Sequence, residues 1–264
     1  MTEAEVPPGR WLEQPGSQVI QAPSHLWGFG ALHGGLVLAV LTRAIQQADS
    51  DDGLVRSATA RLHHPITGPF TATISQSRRG RASAEATDEG TGKVLASASL
   101  VTAPARPESV PLLAPGCPPT ASFEECESFA IPVEFVPISA FVEVRHAGAN
   151  RPYAGGDRPE LTAWVRLSED DRPPDLHRII LLLDVLAPSY AAILSTPQPI
   201  PTVELTVRPA HRLGSATSPW ILLHTQTTTV TPDGWIHEHL DAWDPAGAHL
   251  ASADQLRIVA RPGR

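Results

Sequence analysis

Leu250-Ala251-Ser252-Ala253-Asp254-Gln255 lies in the last strand-like run of the chain, and a near copy, Leu95-Ala96-Ser97-Ala98-Ser99-Leu100, closes its first half. The two copies stand about 155 positions apart. One local pattern written twice at that separation indicates two copies of one fold in a single chain. The polar pair Asp254-Gln255 occurs in only one of them, against Ser99-Leu100 in the other. A duplicated frame with polar groups in one copy points to one site built on a symmetric scaffold.

Working outward, each half repeats an order of elements. Gly34-Gly35 opens a segment, Leu36 to Ile45, that is apolar nearly all round and should be a helix buried on most faces, ended by 49–53. From Val55 the pattern changes to period two. Further strand-like runs follow at Phe70 to Ser77, Ala82 to Asp88 and Lys93 to Thr102, separated by Gly68-Pro69, Arg79-Gly80 and Gly90-Thr91-Gly92. These short turns imply antiparallel hairpins. In the second half Glu160 to Leu167 reads as a strand, and Asp175 to Leu186 as a helix with Asp175 as N-cap and Pro188 as its stop. Strands are then expected at Thr202 to Arg208, Trp220 to Val230, Trp235 to Trp243 and His249 to Val259.

A helix that is apolar all round needs a cover, and a curved antiparallel sheet supplies one. The expected fold class is therefore α+β, a double hot dog: two tandem repeats, each an apolar helix wrapped by a curved antiparallel sheet. Helices between successive strands, which a parallel α/β fold requires, are missing from the pattern. The expected domains are an N-terminal repeat over 1–103, a Pro-rich linker over 104–128, and a C-terminal repeat over 129–264 that carries the site.

With 264 residues and 42% hydrophobic content the chain can bury a sizeable core. A net charge of -8 argues against nucleic acid as the main partner, although Arg78-Arg79-Gly80-Arg81 is a local basic cluster. No apolar run approaches the roughly 20 residues that span a bilayer, so no membrane association is expected. Cys117 and Cys126 fit no zinc or redox spacing and read as free thiols in a cytoplasmic protein. Sheet edges that need partners favour a homo-oligomer, most simply a dimer.

Three short motifs resemble those of the TesB-type acyl-CoA thioesterases. They are Leu181-Leu182-Leu183-Asp184 followed by Pro188, Pro201-Thr202-Val203-Glu204 with Thr206 further on, and Ala251-Ser252-Ala253-Asp254-Gln255. Gly34-Gly35 and Arg61-Leu62-His63-His64-Pro65 are similar to the family's frame. The resemblance implies Asp184, Thr202 and Gln255 as a water-activating triad, with an acyl-CoA as substrate and neither metal nor organic cofactor. His33, Gly34, Gly35 and Thr206 are the expected substrate-binding residues. The stretch Leu205 to His211 and the aliphatic run before Asp184 depart from the family pattern, which bears on the substrate.

Those residue types suit thioester hydrolysis. A carboxylate among aliphatic neighbours is desolvated, which makes it a better base. A Thr hydroxyl and a Gln amide each donate and accept, so they can fix a water beside it. Backbone N–H groups at the helix start His33-Gly34-Gly35 are candidates for holding the oxyanion. Arg61 and Arg208 are candidates for the CoA phosphates. Superposing the two repeated segments sets Gln255 opposite Leu100, and sliding Arg61 onto Arg208 sets Thr59 opposite Thr206 and Thr202 opposite Val55. The polar trio then exists once, and one site per chain is expected.

Other readings of these residues are weaker in pattern. Gly28-Phe29-Gly30-Ala31-Leu32-His33-Gly34-Gly35 lacks the third glycine of a dinucleotide fingerprint. His237 and His239 read as a wet strand face rather than a metal site. Ser24 and Ser189 lack a nucleophile elbow. Two functional alternatives stay open: a catalytically inactive acyl-CoA-binding protein of the same fold, and an enoyl-CoA hydratase or dehydratase using His33 with an Asp.

Overall fold

The computed structural model describes residues 5–14, 19–48, 53–77, 80–106 and 110–260. Its helices are α1 (Pro8–Glu13), α2 (Gly34–Ala48) and α3 (Leu176–Leu182). The first-half strands are β1 (Val19–Ile20), β2 (Trp27–Gly28), β3 (Ala31–Leu32), β4 (Leu54–Leu62), β5 (Phe70–Ser77), β6 (Arg81–Asp88) and β7 (Val94–Ala103). Those that follow are β8 (Glu127–Phe129), β9 (Val142–His146), β10 (Glu160–Leu167), β11 (Thr202–Pro209), β12 (Ile221–Val230), β13 (Trp235–Trp243) and β14 (His249–Ile258). Twelve strands form one continuous sheet in the order β1-β5-β6-β7-β4-β11-β14-β13-β12-β10-β9-β8, with β2 and β3 a separate hairpin.

The sheet curls round the helices as the apolar pattern demands. Leu36, Leu38, Leu41 and Ile45 of α2 are fully buried, as are Ile179 to Leu182 of α3. Small inward residues on the first-half strands, Ala58, Ala60, Ala84, Ala86, Ala96 and Ala98, let the sheet approach α2 closely. The expected double hot dog is the observed architecture, and the halves meet through antiparallel pairing of β4 with β11.

The repeat extends to the register. Ala58 faces Leu100 across β4 and β7, as Leu205 faces Gln255 across β11 and β14. Both pairs of strands carry a bulge at the matching place, between Val55 and Ser57 in the first half and between Thr202 and Glu204 in the second. Thr59 pairs with Thr206 at the junction of the halves, their hydroxyls 3.0 Å apart, where a two-fold relation between the repeats places each opposite its own equivalent. The Leu100–Gln255, Val55–Thr202 and Thr59–Thr206 equivalences read from the sequence are therefore those of the fold.

The second-half helix departs from its expected span. Asp175 caps it as expected, its carboxylate accepting from the His177 and Arg178 N–H groups. The helix ends at Leu182, not Leu186, and Pro188 is not its stop. The chain leaves the helix where Asp184 turns to bond Gly35 of α2, with the Asp184 N–H donating to Leu181 in a tight last turn. A short turn of 3-10 helix, Ser189–Ile193, follows Pro188. The expected helix terminator at 49–52 and Arg78-Arg79 lie outside the described residues.

Between the halves, the chain straps over the outer face of the second-half sheet. Phe123 stacks on Trp220 at 5.0 Å and meets Trp164 edge-on, while the Trp164 and Trp243 indole N–H groups donate to the Ala121 and Pro115 carbonyls. Three tryptophans that would leave an apolar face open to water are covered this way.

Candidate active site

Asp184 sits where the two repeats touch. Helix α2 begins at Gly34, and α3 packs across its first turn. The approach is close enough that a side chain on Gly35 would stand 2.9 Å from the Asp184 Cβ and 3.1 Å from the carbonyls of Ile180 and Leu181. Only glycine fits there. Its bare N–H therefore reaches the carboxylate, donating to Asp184 Oδ2 at 2.7 Å.

The other oxygen faces the sheet. Asp184 Oδ1 accepts from Gln255 Nε2 at 2.7 Å and from the Thr202 hydroxyl at 3.3 Å, with Arg257 Nη2 at 3.5 Å. Gln255 and Arg257 point inward by plain alternation along β14, both buried. Thr202 does not follow alternation. Strict period two would place it with Glu204 and Thr206 on the outer face, and the bulge turns it inward. All these groups face one buried carboxylate, which can accept at about four lone-pair positions.

His33, the residue before α2, places its Nδ1 3.7 Å from Asp184 Oδ2. Burial holds its pKa below the ordinary histidine value, against the pull of the Asp184 charge, so the ring is neutral near pH 7. His33 Nδ1 and Gln255 Oε1 are buried and have no hydrogen-bond partner. Two unpartnered buried polar atoms on either side of one carboxylate single this place out as the candidate site.

The structure thus gathers Asp184, Thr202, Gln255, His33, Gly34 and Gly35, and it leaves Thr206 out. The Thr206 hydroxyl is bonded to Thr59 on the outer face of the sheet, because it lies an even number of strand positions from Glu204 and an odd number from inward-facing Leu205. Gly35 also differs from its expected role: its N–H is taken by Asp184, so it orients the carboxylate and is not available to an oxyanion. Nor is Asp184 the lone desolvated carboxylate read from its aliphatic neighbours, since donors from other elements surround it. Arg61 is paired with Glu204 at 2.8 Å and Arg208 with Asp254, so both phosphate candidates are already engaged by carboxylates. His239 of the wet strand face is bonded to Asp254 and Asp241.

Two residues of the site escape the sequence reading. Arg257 and Glu238 form a buried ion pair at 2.8 Å directly behind Asp184. The available signal was alternation: Arg257 is two positions from Gln255, and Glu238 separates two outward histidines on its strand.

Comparison with known proteins identifies the family. Residues 114–259 match the model of the acyl-CoA thioesterase C-terminal domain, and residues 23–101 that of the acyl-CoA thioesterase N-terminal domain. The chain belongs to the acyl-CoA thioesterase family. Among solved structures, this thioesterase-family chain is similar to a conserved hot-dog protein of unknown function from Alicyclobacillus acidocaldarius, at 20% identity over 93% of each chain with a TM-score of 0.82. It is also similar to a candidate thioesterase II from Thermobifida fusca YX, at 23% identity over 93% of this chain and 94% of that one, TM-score 0.78. A third is acyl-CoA thioesterase II TesB2 from Mycobacterium marinum, at 14% identity over 87% and 90%, TM-score 0.69. At these identities the likeness to this family member is one of fold. A search of curated proteins returned no match. Among the described residues of the thioesterase-family chain, no helix is long and apolar enough to cross a membrane.

Proposed function

We propose that this protein hydrolyses acyl-CoA thioesters by direct attack of a water activated at Asp184. The observation that carries the reading is the convergence on that carboxylate, across the junction of the halves, of the Gly35 N–H, the Thr202 hydroxyl and the Gln255 amide. Gln255 gives its Nε2 to Asp184 and keeps Oε1, which accepts a hydrogen bond from one O–H of the water, and that proton stays on the water oxygen. Asp184 takes the second proton of the water as the water oxygen bonds to the thioester carbonyl carbon. The tetrahedral intermediate then collapses. The C–S bond breaks, and the CoA sulfur leaves with the proton that Asp184 took up. An acyl-CoA and water yield a carboxylic acid and free CoA.

The test is release of free thiol from straight and branched acyl-CoAs over a range of chain lengths. Hydrolysis of at least one class is expected. If every acyl-CoA binds and none is turned over, the protein is an acyl-CoA-binding module on the same frame.

The twin half supplies a sharper variant. Leu100 stands where Gln255 stands, within the same strand pairing. Gln255→Leu is therefore expected to fold, with unchanged far-UV circular dichroism, and to lose on the order of 100-fold in kcat through a misplaced water. Full kcat in the folded variant would remove Gln255 from the mechanism.

His33 favours a second reading. A neutral imidazole within 3.7 Å of a carboxylate from the other half is an acid–base pair suited to hydration of 2-enoyl-CoAs. Loss of the enoyl absorbance on mixing, abolished by His33→Ala, would favour it. The thioesterase reading expects thiol release and no such change.

A further inference from the structure

Behind Asp184 lies a buried polar chain that the reaction as written above does not use. Arg257 Nη2 is 3.5 Å from Asp184 Oδ1, and its Nε donates to Glu238 Oε2 at 2.8 Å. Glu238 Oε1 accepts from the Ser189 backbone N–H at 2.5 Å and the Thr225 hydroxyl at 3.0 Å. The Ser189 hydroxyl lies 2.8 Å from that of Thr227. Arg257, Glu238, Ser189, Thr225 and Thr227 are all buried. The segment from Asp184 to Ser189 is thus tied at both ends, by the site at one and by Glu238 at the other.

The fold does not require this chain. In the first half the position equivalent to Gln255 is Leu100, whose partner on the next strand is Ala82, as Glu238 is the partner of Gln255. The position equivalent to Arg257 is Thr102, which pairs with Val55 across the same bulge as Arg257 with Thr202. The twin half therefore builds the same strands and the same irregularity with Ala82 and Thr102 in place of an ion pair. Burying two charges carries a desolvation cost that smaller uncharged residues avoid. The pair is kept in the one half that holds Asp184.

We propose that Arg257, clamped by Glu238, is a positioning residue that fixes the Asp184 carboxylate against Gly35, Thr202 and Gln255. This deepens the hydrolase reading and rests on it for its rate measurement. Gly35 holds one oxygen from the helix side. Arg257 holds the other from the sheet side by charge, so the carboxylate cannot turn away from Gln255 and the water that Gln255 orients.

The experiment compares Arg257→Ala, Arg257→Lys and the wild-type chain on the acyl-CoA found to be hydrolysed. Arg257→Ala is expected to lose on the order of 100-fold in kcat, as a misplaced catalytic group does, with KM little changed. Arg257→Lys should recover part of that loss. Guanidinium added at low concentration should recover part in Arg257→Ala, where sodium chloride at equal ionic strength does not. Should Arg257→Ala fail to fold, the double variant Glu238→Ala/Arg257→Thr, which installs the first-half side chains, takes its place. Retained kcat, or a loss confined to KM, overturns the proposal.

A crystal structure of the same variant separates this idea from the reaction assigned to the site. Rotation of the Asp184 carboxylate away from Gln255 or Gly35 supports the positioning role even if the wild-type chain hydrolyses no acyl-CoA. An unmoved carboxylate overturns that role whatever the reaction is.

Discussion

Asp184→Asn is expected to lower kcat for thioester hydrolysis by at least about 100-fold, the low end of what a positioned general base contributes. The substitution keeps shape and volume and removes the proton acceptor. Its amide also has one acceptor oxygen where the carboxylate has two, yet Gly35 and Gln255 present donors to opposite oxygens. One of those donors must then meet an N–H₂ group, so a modest fall in melting temperature should accompany the loss of rate. Thiol-release kinetics on protein of native circular dichroism checks both. Near-normal turnover would sink the assignment of Asp184 as base.

Gly35→Ala carries the second large expectation. In an open helix that change stabilises by up to about 1 kcal/mol. Here the added methyl meets the Asp184 Cβ at 2.9 Å and two backbone carbonyls of α3 at 3.1 Å, and none of these can swing aside. The crossing of α2 and α3 must widen. Overpacking of this kind costs about 1–3 kcal/mol, so the sign of the helix propensity effect is reversed and the melting temperature falls. The same widening draws Asp184 away from Gln255 and Thr202. A displacement of about 1 Å is expected to remove on the order of 100-fold in rate. Thermal melts and kcat on one preparation read both effects. A variant as stable and as active as the parent would mean that the close crossing is dispensable.

The sequence made much of this legible, for reasons that differ by element. The largely apolar run Leu36 to Ile45 reads as a buried helix, and the period-two runs between turn residues read as antiparallel strands. The duplicated Leu-Ala-Ser-Ala segment fixes which residues of the two halves are equivalent, and the strand pairing bears this out: Leu100 and Gln255 occupy equivalent places in the sheet. The second-half helix was read too long because its apolar run continues past Leu182, while the Asp184 bond to Gly35 diverts the chain. Thr206 belongs to the same family-like motif as Thr202 and shares its strand. The bulge between them places the two side chains on opposite faces.

By itself the sequence determined the twinned frame, the equivalence of positions in its two halves and the confinement of Asp184, Thr202 and Gln255 to one half, since these follow from local periodicity and from comparing the chain with itself. Tertiary structure alone decided what surrounds the carboxylate. The Gly35 N–H and His33 arrive from the other half, Thr202 is turned inward by one extra residue in its strand, and Arg257 reaches it held by Glu238. Each of these contacts joins residues far apart in the chain, and its distance is set by how closely two helices cross and how a sheet curls, which no local pattern of residues records.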